Sequence, residues 1–231
     1  MVVGGGQLAK AFKHFIDNEN VVIFASGVSN SNCTDTSEFE REKNLLLTTL
    51  KNSHEKTFVY FSSCALSACD YLKNDYYRHK QKMEELIRLN SNSYCIFRIP
   101  QLFGKLIPHG TLINYIYGCI KEDKQFSIYS DAYRYVIEIN DVVKLVDAYL
   151  KTAIRCSTID IANTYRYSVK EIVNTFEKLL NKKADFQKIN KTDKYTLNLG
   201  AIEDFITTHE MDLNFGKDYL ENKLAEKLKA L

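Results

Sequence analysis

The sequence predicts an α/β fold in which a parallel sheet is covered by helices. Short apolar runs alternate with segments of helical periodicity through residue ~150, which is typical of parallel strands joined by crossover helices. A glycine-rich turn also separates the first apolar run from the first helix. A turn of this kind is common where a strand passes directly into a helix of such a fold.

Four strands are expected in the first part of the chain, each a short run rich in apolar residues. They cover residues 1–3, 21–25, 57–61 and 94–97. The first helix has one apolar face, formed by Leu8, Phe12, Phe15 and Ile16. A second helix is capped by Asp35 or Ser37, and a third covers residues 75–89. The fourth strand stops at Pro100, which has no backbone N–H to donate.

The pattern becomes mixed after Gly104, which divides the chain into two expected parts. A helix near 112–120, an alternating stretch over 126–139 and a helix near 142–151 follow, and 210–231 is amphipathic, as in a solvated terminal helix. We expect a nucleotide-binding core over 1–104. The remainder, 105–231, would form a substrate-binding lobe and C-terminal helices, with part of 142–170 returning to the core.

Composition excludes several classes of protein. Hydrophobic residues make up 45% of the 231 residues and charged residues 26%, as in globular proteins. A net charge of +2 does not suggest a nucleic-acid or membrane partner. The six cysteines are scattered without metal-ligand spacing, so we expect no metal and a reducing cytoplasm. No apolar run approaches the roughly 18 residues that span a bilayer, and no secretory leader is recognisable.

The glycine turn is the first candidate site. Gly4-Gly5-Gly6-Gln7-Leu8-Ala9 fits the pattern GxGxxA between a strand and a helix. Glycines at these positions let a pyrophosphate approach the backbone at the positive end of a helix. A glycine-rich turn can also simply join a strand to a helix, so the motif alone leaves both interpretations open.

A tyrosine and a lysine four residues apart form the second candidate site. Tyr76 and Lys80 would share one helix face, where the ammonium can lower the pKa of the phenol for acid/base work. Tyr117 and Lys121 have the same spacing. Only the helix of Tyr76 follows a strand that ends in Ser62-Ser63 and precedes one that ends in the pattern RxPxxxG, so the order of the motifs favours the first pair.

This ordered set resembles the extended short-chain dehydrogenase/reductase family, also called the NAD-dependent epimerase/dehydratase family. The resemblance covers nearly the whole chain and implies a Rossmann-like fold with a small mixed substrate lobe. It also implies NAD or NADP as cofactor and a nucleotide sugar as substrate, and it leaves a homodimer open. Relative to the family, about the ~30 residues of one strand-helix-strand unit are missing between the first helix and the strand at 21–25.

The resemblance assigns roles to individual residues. Ser63 would polarise the sugar oxygen, Tyr76 would give or take its proton, and Lys80 would hold the nicotinamide ribose and lower the pKa of Tyr76. Besides Tyr76 and Lys80, the cofactor-binding residues would be Gly4, Gly5, Gly6, Gln7, Leu8, Phe24, Ala25, Ser26, Ile99 and Pro100. The substrate-binding residues would be Cys64, Gln101, His109 and Arg134, the last of them as a clamp for the diphosphate.

Departures from the family pattern reduce the number of reactions that fit this sequence. The missing unit normally carries the residue that holds the adenosine ribose, so NAD and NADP cannot be told apart. In the dehydratases of this family Asp-Glu follows the catalytic hydroxyl, whereas Cys64-Ala65 follow Ser63, which disfavours dehydration. Cys64 and His109 could form an acid/base pair for epimerisation, or Cys64 could be a packed thiol.

We therefore expect reduction of a keto group on a nucleotide-linked sugar, at carbon 4, in bacterial-type surface-glycan sugar biosynthesis. A nucleotide-sugar epimerase of the same family is the alternative. A degenerate, non-catalytic Rossmann module that binds a nucleotide or a partner is a third interpretation, which the missing unit favours and the Ser63, Tyr76 and Lys80 set opposes.

Overall fold

The computed structural model describes residues 1–69, 71–107 and 110–230. The strands in these ranges are β1 (Val2–Val3), β2 (Val21–Phe24), β3 (Thr57–Ser63), β4 (Tyr94–Ile99), β5 (Gln101–Phe103), β6 (Phe126–Arg134), β7 (Val136–Glu138), β8 (Ser157–Asp160), β9 (Tyr167–Ser168) and β10 (Phe186–Asp193). The helices are α1 (Gln7–Ala11), α2 (Thr36–Lys51), α3 (Asp75–Asn90), α4 (Leu112–Lys121), α5 (Ile139–Lys151), α6 (Val169–Leu180), α7 (Gly200–Thr208) and α8 (Tyr219–Lys229). None of these helices combines the length and hydrophobicity that crossing a membrane requires.

The main sheet is parallel throughout and has the strand order β1-β2-β3-β4-β8. The predicted fold class is therefore confirmed, including the missing unit, because the chain passes from β1 through α1 directly to β2. In the doubly wound order 3-2-1-4-5-6 the first strand lies inside the sheet, and the strand order reverses beside it. Among the described strands β1 is instead the edge of this sheet, and the order runs in one direction only.

Alternate residues of the strands face two separate cores, as a sheet covered on both sides requires. Ile23 of β2 and Val59 of β3 face the core beneath α1, α5 and α7. Their neighbours Val22 and Phe58 face the core beneath α2 and α3. The helices therefore pack on both faces of the main sheet.

The glycine turn begins with a residue that must be glycine. Gly4 has φ +133°, and a Cβ added there would collide with the carbonyl oxygen of Ala25. The first helix is shorter than predicted, since α1 ends at Ala11 and a 3₁₀ turn follows over Lys13–Phe15. The tighter turn buries Phe15 but leaves Ile16 58% exposed, so the prediction that Ile16 shares the buried face is wrong.

Part of the second half of the chain, with Phe103 and Leu106, forms a separate core beside the main sheet. It lies among α4, α6, α8 and the sheet β10-β6-β9. The predicted terminal helix over 210–231 begins later, at Tyr219, because Asn214 (φ 51°) and Gly216 (φ 138°) turn the chain through left-handed conformations. It is also not solvated on all sides, since Tyr219, Leu220 and Leu224 are buried.

Candidate functional site

The predicted catalytic residues lie around the carboxyl ends of β2 and β3, where Ser63 is the last residue of β3 and Tyr76 packs beside Ala65. Parallel strands all end at one edge of the sheet, and α3 contacts both β3 and the 3₁₀ turn Cys64–Leu66 that follows it. Tyr76 packs in one apolar cluster with Val28, which follows β2, and Ala65, which follows β3. The structure therefore brings the helix of Tyr76 to the strand end that carries Ser63.

Local capping fixes where α3 begins. The side chain of Asn74 accepts a hydrogen bond from the Tyr77 N–H at 3.2 Å and donates to the Ser31 carbonyl at 2.8 Å. Tyr76 and Lys80 then fall on the buried face, with the Lys80 Nζ 5.8 Å from the centroid of the Tyr76 ring. The helix start thus sets the predicted pair against the sheet.

The competing pair, Tyr117 and Lys121, lies elsewhere. It belongs to α4, where the Lys121 Nζ is 5.4 Å from the Tyr117 ring and that ring packs against Phe176 in the second core. Neither residue belongs to the cluster of Tyr76 and Ala65. Position in the fold therefore separates two pairs of identical spacing.

Lys80 lies in a buried polar network that the sequence did not predict. Its Nζ donates to Glu42 Oε1 at 3.0 Å and to the Tyr60 hydroxyl at 3.1 Å. Glu42 also accepts from the Tyr60 hydroxyl at 2.7 Å and from the Val28 N–H at 2.7 Å, and it shares a hydrogen bond of 3.0 Å with His79. The side chain of Lys80 is 3% exposed and that of Glu42 is 0% exposed. We call Glu42, Tyr60, His79 and Lys80 the Glu42 network.

Charge in the Glu42 network shifts the acidity of its carboxyl group. Burial alone would raise the pKa of Glu42, but the Lys80 ammonium and the hydrogen bonds from His79, Tyr60 and Val28 hold it far below its ordinary value. Glu42 is therefore ionised at neutral pH, as the counter-ion of Lys80.

Tyr76 differs from the sequence prediction in its acidity. Lys80 was expected to lower its pKa, yet burial, followed by the neighbouring Tyr77 and Glu42, raises it well above the ordinary value. Burial is the largest cause, and Glu42, the partner of Lys80 in an ion pair, adds to it. The phenol consequently stays protonated at neutral pH.

The end of β3 places Ser63 and Cys64 differently. Ser63 is half-buried, and its Oγ accepts from the Ala65 N–H at 3.4 Å at the start of a 3₁₀ turn. Cys64 is buried and its thiol donates to the Arg98 carbonyl at 3.0 Å. Burial, with the nearby Asp160, raises the pKa of this thiol. A role for Cys64 in substrate binding stays a prediction, and its suggested partner His109 lies outside the described residues.

An ion pair between Glu84 and Arg98 joins the helix of Lys80 to the strand that follows it. Glu84, one turn further along α3, accepts from Arg98 Nε at 2.9 Å and from its Nη2 at 2.8 Å. Arg98 also donates to the Ser67 hydroxyl at 2.9 Å. The two parallel hydrogen bonds between Arg98 and Glu84 join α3 to β4, and they fix α3 against the sheet one turn beyond Lys80.

The glycine turn leaves room where a pyrophosphate was expected. A Cβ at Gly5 or Gly6 would meet no atom within 4 Å. The side chain of Gln7 is instead fixed, because its Oε1 accepts from the Lys105 N–H at 2.8 Å. A Cβ at Gly104 would lie 2.7 Å from that oxygen. The turn is thereby tied to the chain that follows β5 while its outer face stays open.

The other predicted cofactor and substrate residues vary in exposure. The Phe24 ring is buried in the core, so only its backbone could face a ligand. The half-buried residues of this set are Leu8, Ala25, Ser26, Ile99, Pro100 and Gln101. Their contact with a cofactor or substrate stays a prediction.

Arg134 is already paired. Its Nη1 donates to the Asp193 carbonyl at 2.7 Å and its Nη2 forms an ion pair with the Asp193 carboxylate. The Tyr71 hydroxyl donates to the same carboxylate at 2.7 Å. Asp193 belongs to β10, a strand that the sequence did not reveal, and a diphosphate would compete with it for the guanidinium.

The fit to a nicotinamide dinucleotide therefore differs between its two ends. The open face at Gly5 and Gly6 fits the pyrophosphate. At the nicotinamide ribose the fit fails in this conformation, because the Lys80 ammonium is enclosed by Glu42 and Tyr60.

Comparison with solved structures identifies the fold. The chain is similar to a UDP-glucuronic acid 4-epimerase variant from Bacillus cereus, in complex with UDP-4-deoxy-4-fluoro-glucuronic acid and NAD (TM-score 0.73, 15% identity, 98% of this chain and 79% of that chain covered). It is also similar to UDP-glucose 4-epimerase from Thermus thermophilus in complex with NAD (TM-score 0.71, 10% identity, 96% and 82% covered). A third is dTDP-glucose 4,6-dehydratase from Bacillus anthracis str. Ames in complex with NAD (TM-score 0.71, 14% identity, 91% and 73% covered).

These similarities are structural. No family model matches the chain, and no curated protein matches its sequence. At 10–15% identity, the three structures establish a common fold. That fold is the one the resemblance in the sequence implied.

Proposed function

We propose that this chain reduces a keto group of a nucleotide-linked sugar, at carbon 4, with NADH or NADPH as the reductant. The observation that carries the proposal is the place of Tyr76, a buried and protonated phenol at the strand end that carries Ser63. The shared fold supports the substrate class, since the similar structures include two UDP-sugar 4-epimerases and a dTDP-glucose 4,6-dehydratase, each in complex with NAD.

Ser63, Tyr76 and the glycine turn each have a defined task in this proposal. The bound nicotinamide would supply the hydride. Ser63 would donate a hydrogen bond to the keto oxygen, and Tyr76 would give its proton to that oxygen as it becomes an alkoxide. The backbone at Gly5 and Gly6 would hold the pyrophosphate, and the product would be the corresponding alcohol.

The acidity of Tyr76 favours the reductase over the epimerase. An epimerase must first oxidise its sugar, and for that step the phenolate has to accept the proton of the hydroxyl group. Burial, Tyr77 and Glu42 raise the pKa of Tyr76, and this shift disfavours the phenolate that the oxidation step needs. An epimerase must also keep its cofactor through the whole cycle, whereas the missing strand-helix-strand unit removes adenosine contacts and suits a cofactor that is exchanged.

A non-catalytic binding module is the second candidate function. The ion pair of Lys80 and Glu42 favours it, because the lysine is not free to hold a ribose. The strand order favours it as well, since ligands of open α/β sheets bind where the order reverses, and the described main sheet has no such reversal.

Cofactor consumption distinguishes these functions. Purified protein is given NADH or NADPH and a panel of UDP-, dTDP- and GDP-linked 4-keto sugars, and absorbance of the reduced nicotinamide is followed. We expect oxidation of one cofactor with formation of one alcohol. Interconversion of two sugar epimers without net oxidation would identify the epimerase. Neither reaction, together with retained nucleotide binding, would identify the binding module.

A valine in place of Gly6 tests the pyrophosphate position. The fold should persist because a Cβ there meets no atom within 4 Å, but the side chain would cover the backbone donors. Losing hydrogen bonds to a charged phosphate should weaken dinucleotide binding roughly 10- to 100-fold, as measured by calorimetry. Gly118→Val is the control, since a Cβ at Gly118 in α4 also meets no atom within 4 Å. Equal affinity of the two variants would place the ligand elsewhere.

A further inference from the structure

We propose that Glu42 competes internally with the cofactor for Lys80, so that a dinucleotide binds fully only after this carboxylate has moved away. The inference rests on the proposed function, because it takes Lys80 as the residue that would hold the nicotinamide ribose. It explains why the glycine turn is open to a ligand while the lysine of the same site is enclosed.

The surroundings of Lys80 leave no place for a ribose. Glu42 Oε1 and the Tyr60 hydroxyl take hydrogen bonds from its ammonium at 3.0 and 3.1 Å. The backbone of Gly27 covers it from the side of β2, since a Cβ there would lie 2.5 Å from the Nζ. A ribose hydroxyl could reach this ammonium only if one of these three groups moved.

The structure also connects the carboxylate to the segment that the cofactor would contact. The loop after β2 begins at Ala25 and Ser26, and its Val28 N–H donates to Glu42 Oε2 at 2.7 Å. A ligand that displaces this loop would therefore pull on the Val28 hydrogen bond. Movement of the loop and release of Lys80 are coupled through one backbone donor.

The fraction of protein in which Lys80 is released from Glu42 sets how strongly Glu42 weakens dinucleotide binding. Minor conformations of two-state proteins are commonly populated at about 0.1–10%. The apparent affinity of a ligand is reduced by the fraction of protein that can bind it. A variant that no longer holds Lys80 by charge should therefore bind a dinucleotide about tenfold more tightly, or better.

Glu42→Gln removes the charge and keeps the shape of the side chain, with one acceptor oxygen in place of the two that Tyr60 and Val28 use. We expect this variant to bind NADH or NADPH at least about tenfold more tightly than the wild type in calorimetry. Glu138→Gln is the matched control, because Glu138 is equally buried and paired with Lys227 at 2.6 Å in another part of the chain. The control should bind like the wild type.

Other outcomes separate the inference from the proposed function. Wild-type affinity in folded Glu42→Gln overturns the inference and leaves the function standing. Absence of dinucleotide binding in both the wild type and Glu42→Gln overturns the function and the inference with it. If Glu42→Gln does not fold, Glu42→Asp provides the same comparison, since its shorter carboxylate withdraws from Lys80.

Hydrogen exchange of the wild-type protein gives a measurement that needs no variant. The Val28 amide is protected by its bond to Glu42. Release of that carboxylate should make the Val28 amide exchange faster when NADH or NADPH is bound, although ligands usually slow exchange near their site. Slower exchange of this amide in the complex would show that Glu42 stays in place, and would overturn the inference.

Discussion

Replacing Tyr76 with phenylalanine should lower reductive turnover roughly 10²–10⁴-fold, the usual effect of losing a general acid. The ring keeps its place among Val28, Ala65 and Tyr77, so the fold and the binding of substrate should change little. Only the proton that must reach the new alkoxide is removed. Steady-state oxidation of NADH or NADPH measures the turnover, and calorimetry with the sugar nucleotide measures binding.

Tyr77→Phe is the matched control for this prediction. Tyr77 is the next residue of α3, is buried to the same degree, and lies edge-on to Tyr76 at a centroid distance of 5.1 Å. Its hydroxyl has no role in the proposed reaction, so turnover should remain near the wild-type value. A comparable loss in both variants would indicate a packing effect and contradict proton transfer from Tyr76.

The helices around the site could be predicted because their signals are local. Asp35 caps α2 through the Ser37 N–H, and Asn74 caps α3 through the Tyr77 N–H, so each helix start is encoded within three residues. The spacing of Tyr76 and Lys80 then follows from helix geometry alone. These elements and their order were sufficient to predict the fold class.

The partners of the site residues could not be predicted, because they are distant in sequence. Lys80 meets Glu42 across 38 positions, and Arg134 meets Asp193 across 59. Glu42 lies between Phe39 and Leu46 on one face of α2, but nothing near it in the sequence identifies Lys80 as its partner. A charged residue within an amphipathic helix is normally assigned to solvent.

The two ends of the chain show how local signals can also mislead. Periodicity extends from α1 through Ile16 and from residue 210 into α8, although the backbone is not helical over either full range. The left-handed residues Asn214 and Gly216 interrupt the second of these ranges. Hydrophobic spacing indicates which residues face the core, but backbone turns decide where a helix begins.

The largest effect on stability is expected for Lys80→Ala. Glu42 would remain buried without its counter-ion, and breaking a buried ion pair on one side costs about 3–5 kcal/mol. For a chain of this size, that loss lowers the melting temperature by roughly 6–20 °C. Scanning calorimetry at neutral pH measures the shift, and dinucleotide affinity should fall in the same variant.

Acid and a second substitution test the cause of that instability. In the wild type the pKa of Glu42 is lowered, so its stabilising effect is present above the ordinary carboxyl pKa and is lost as the pH falls. In Lys80→Ala the carboxyl has lost its counter-ion, so its pKa is higher than in the wild type and acid takes less stability from this variant. Both effects reduce the difference in stability between the two proteins toward pH 4.

The double variant Lys80→Ala/Glu42→Gln should likewise recover part of the stability at neutral pH, since no buried charge is left. A difference that stays constant with pH, and a double variant no more stable than Lys80→Ala, would show that Lys80 stabilises the protein by packing and not as the counter-ion of Glu42.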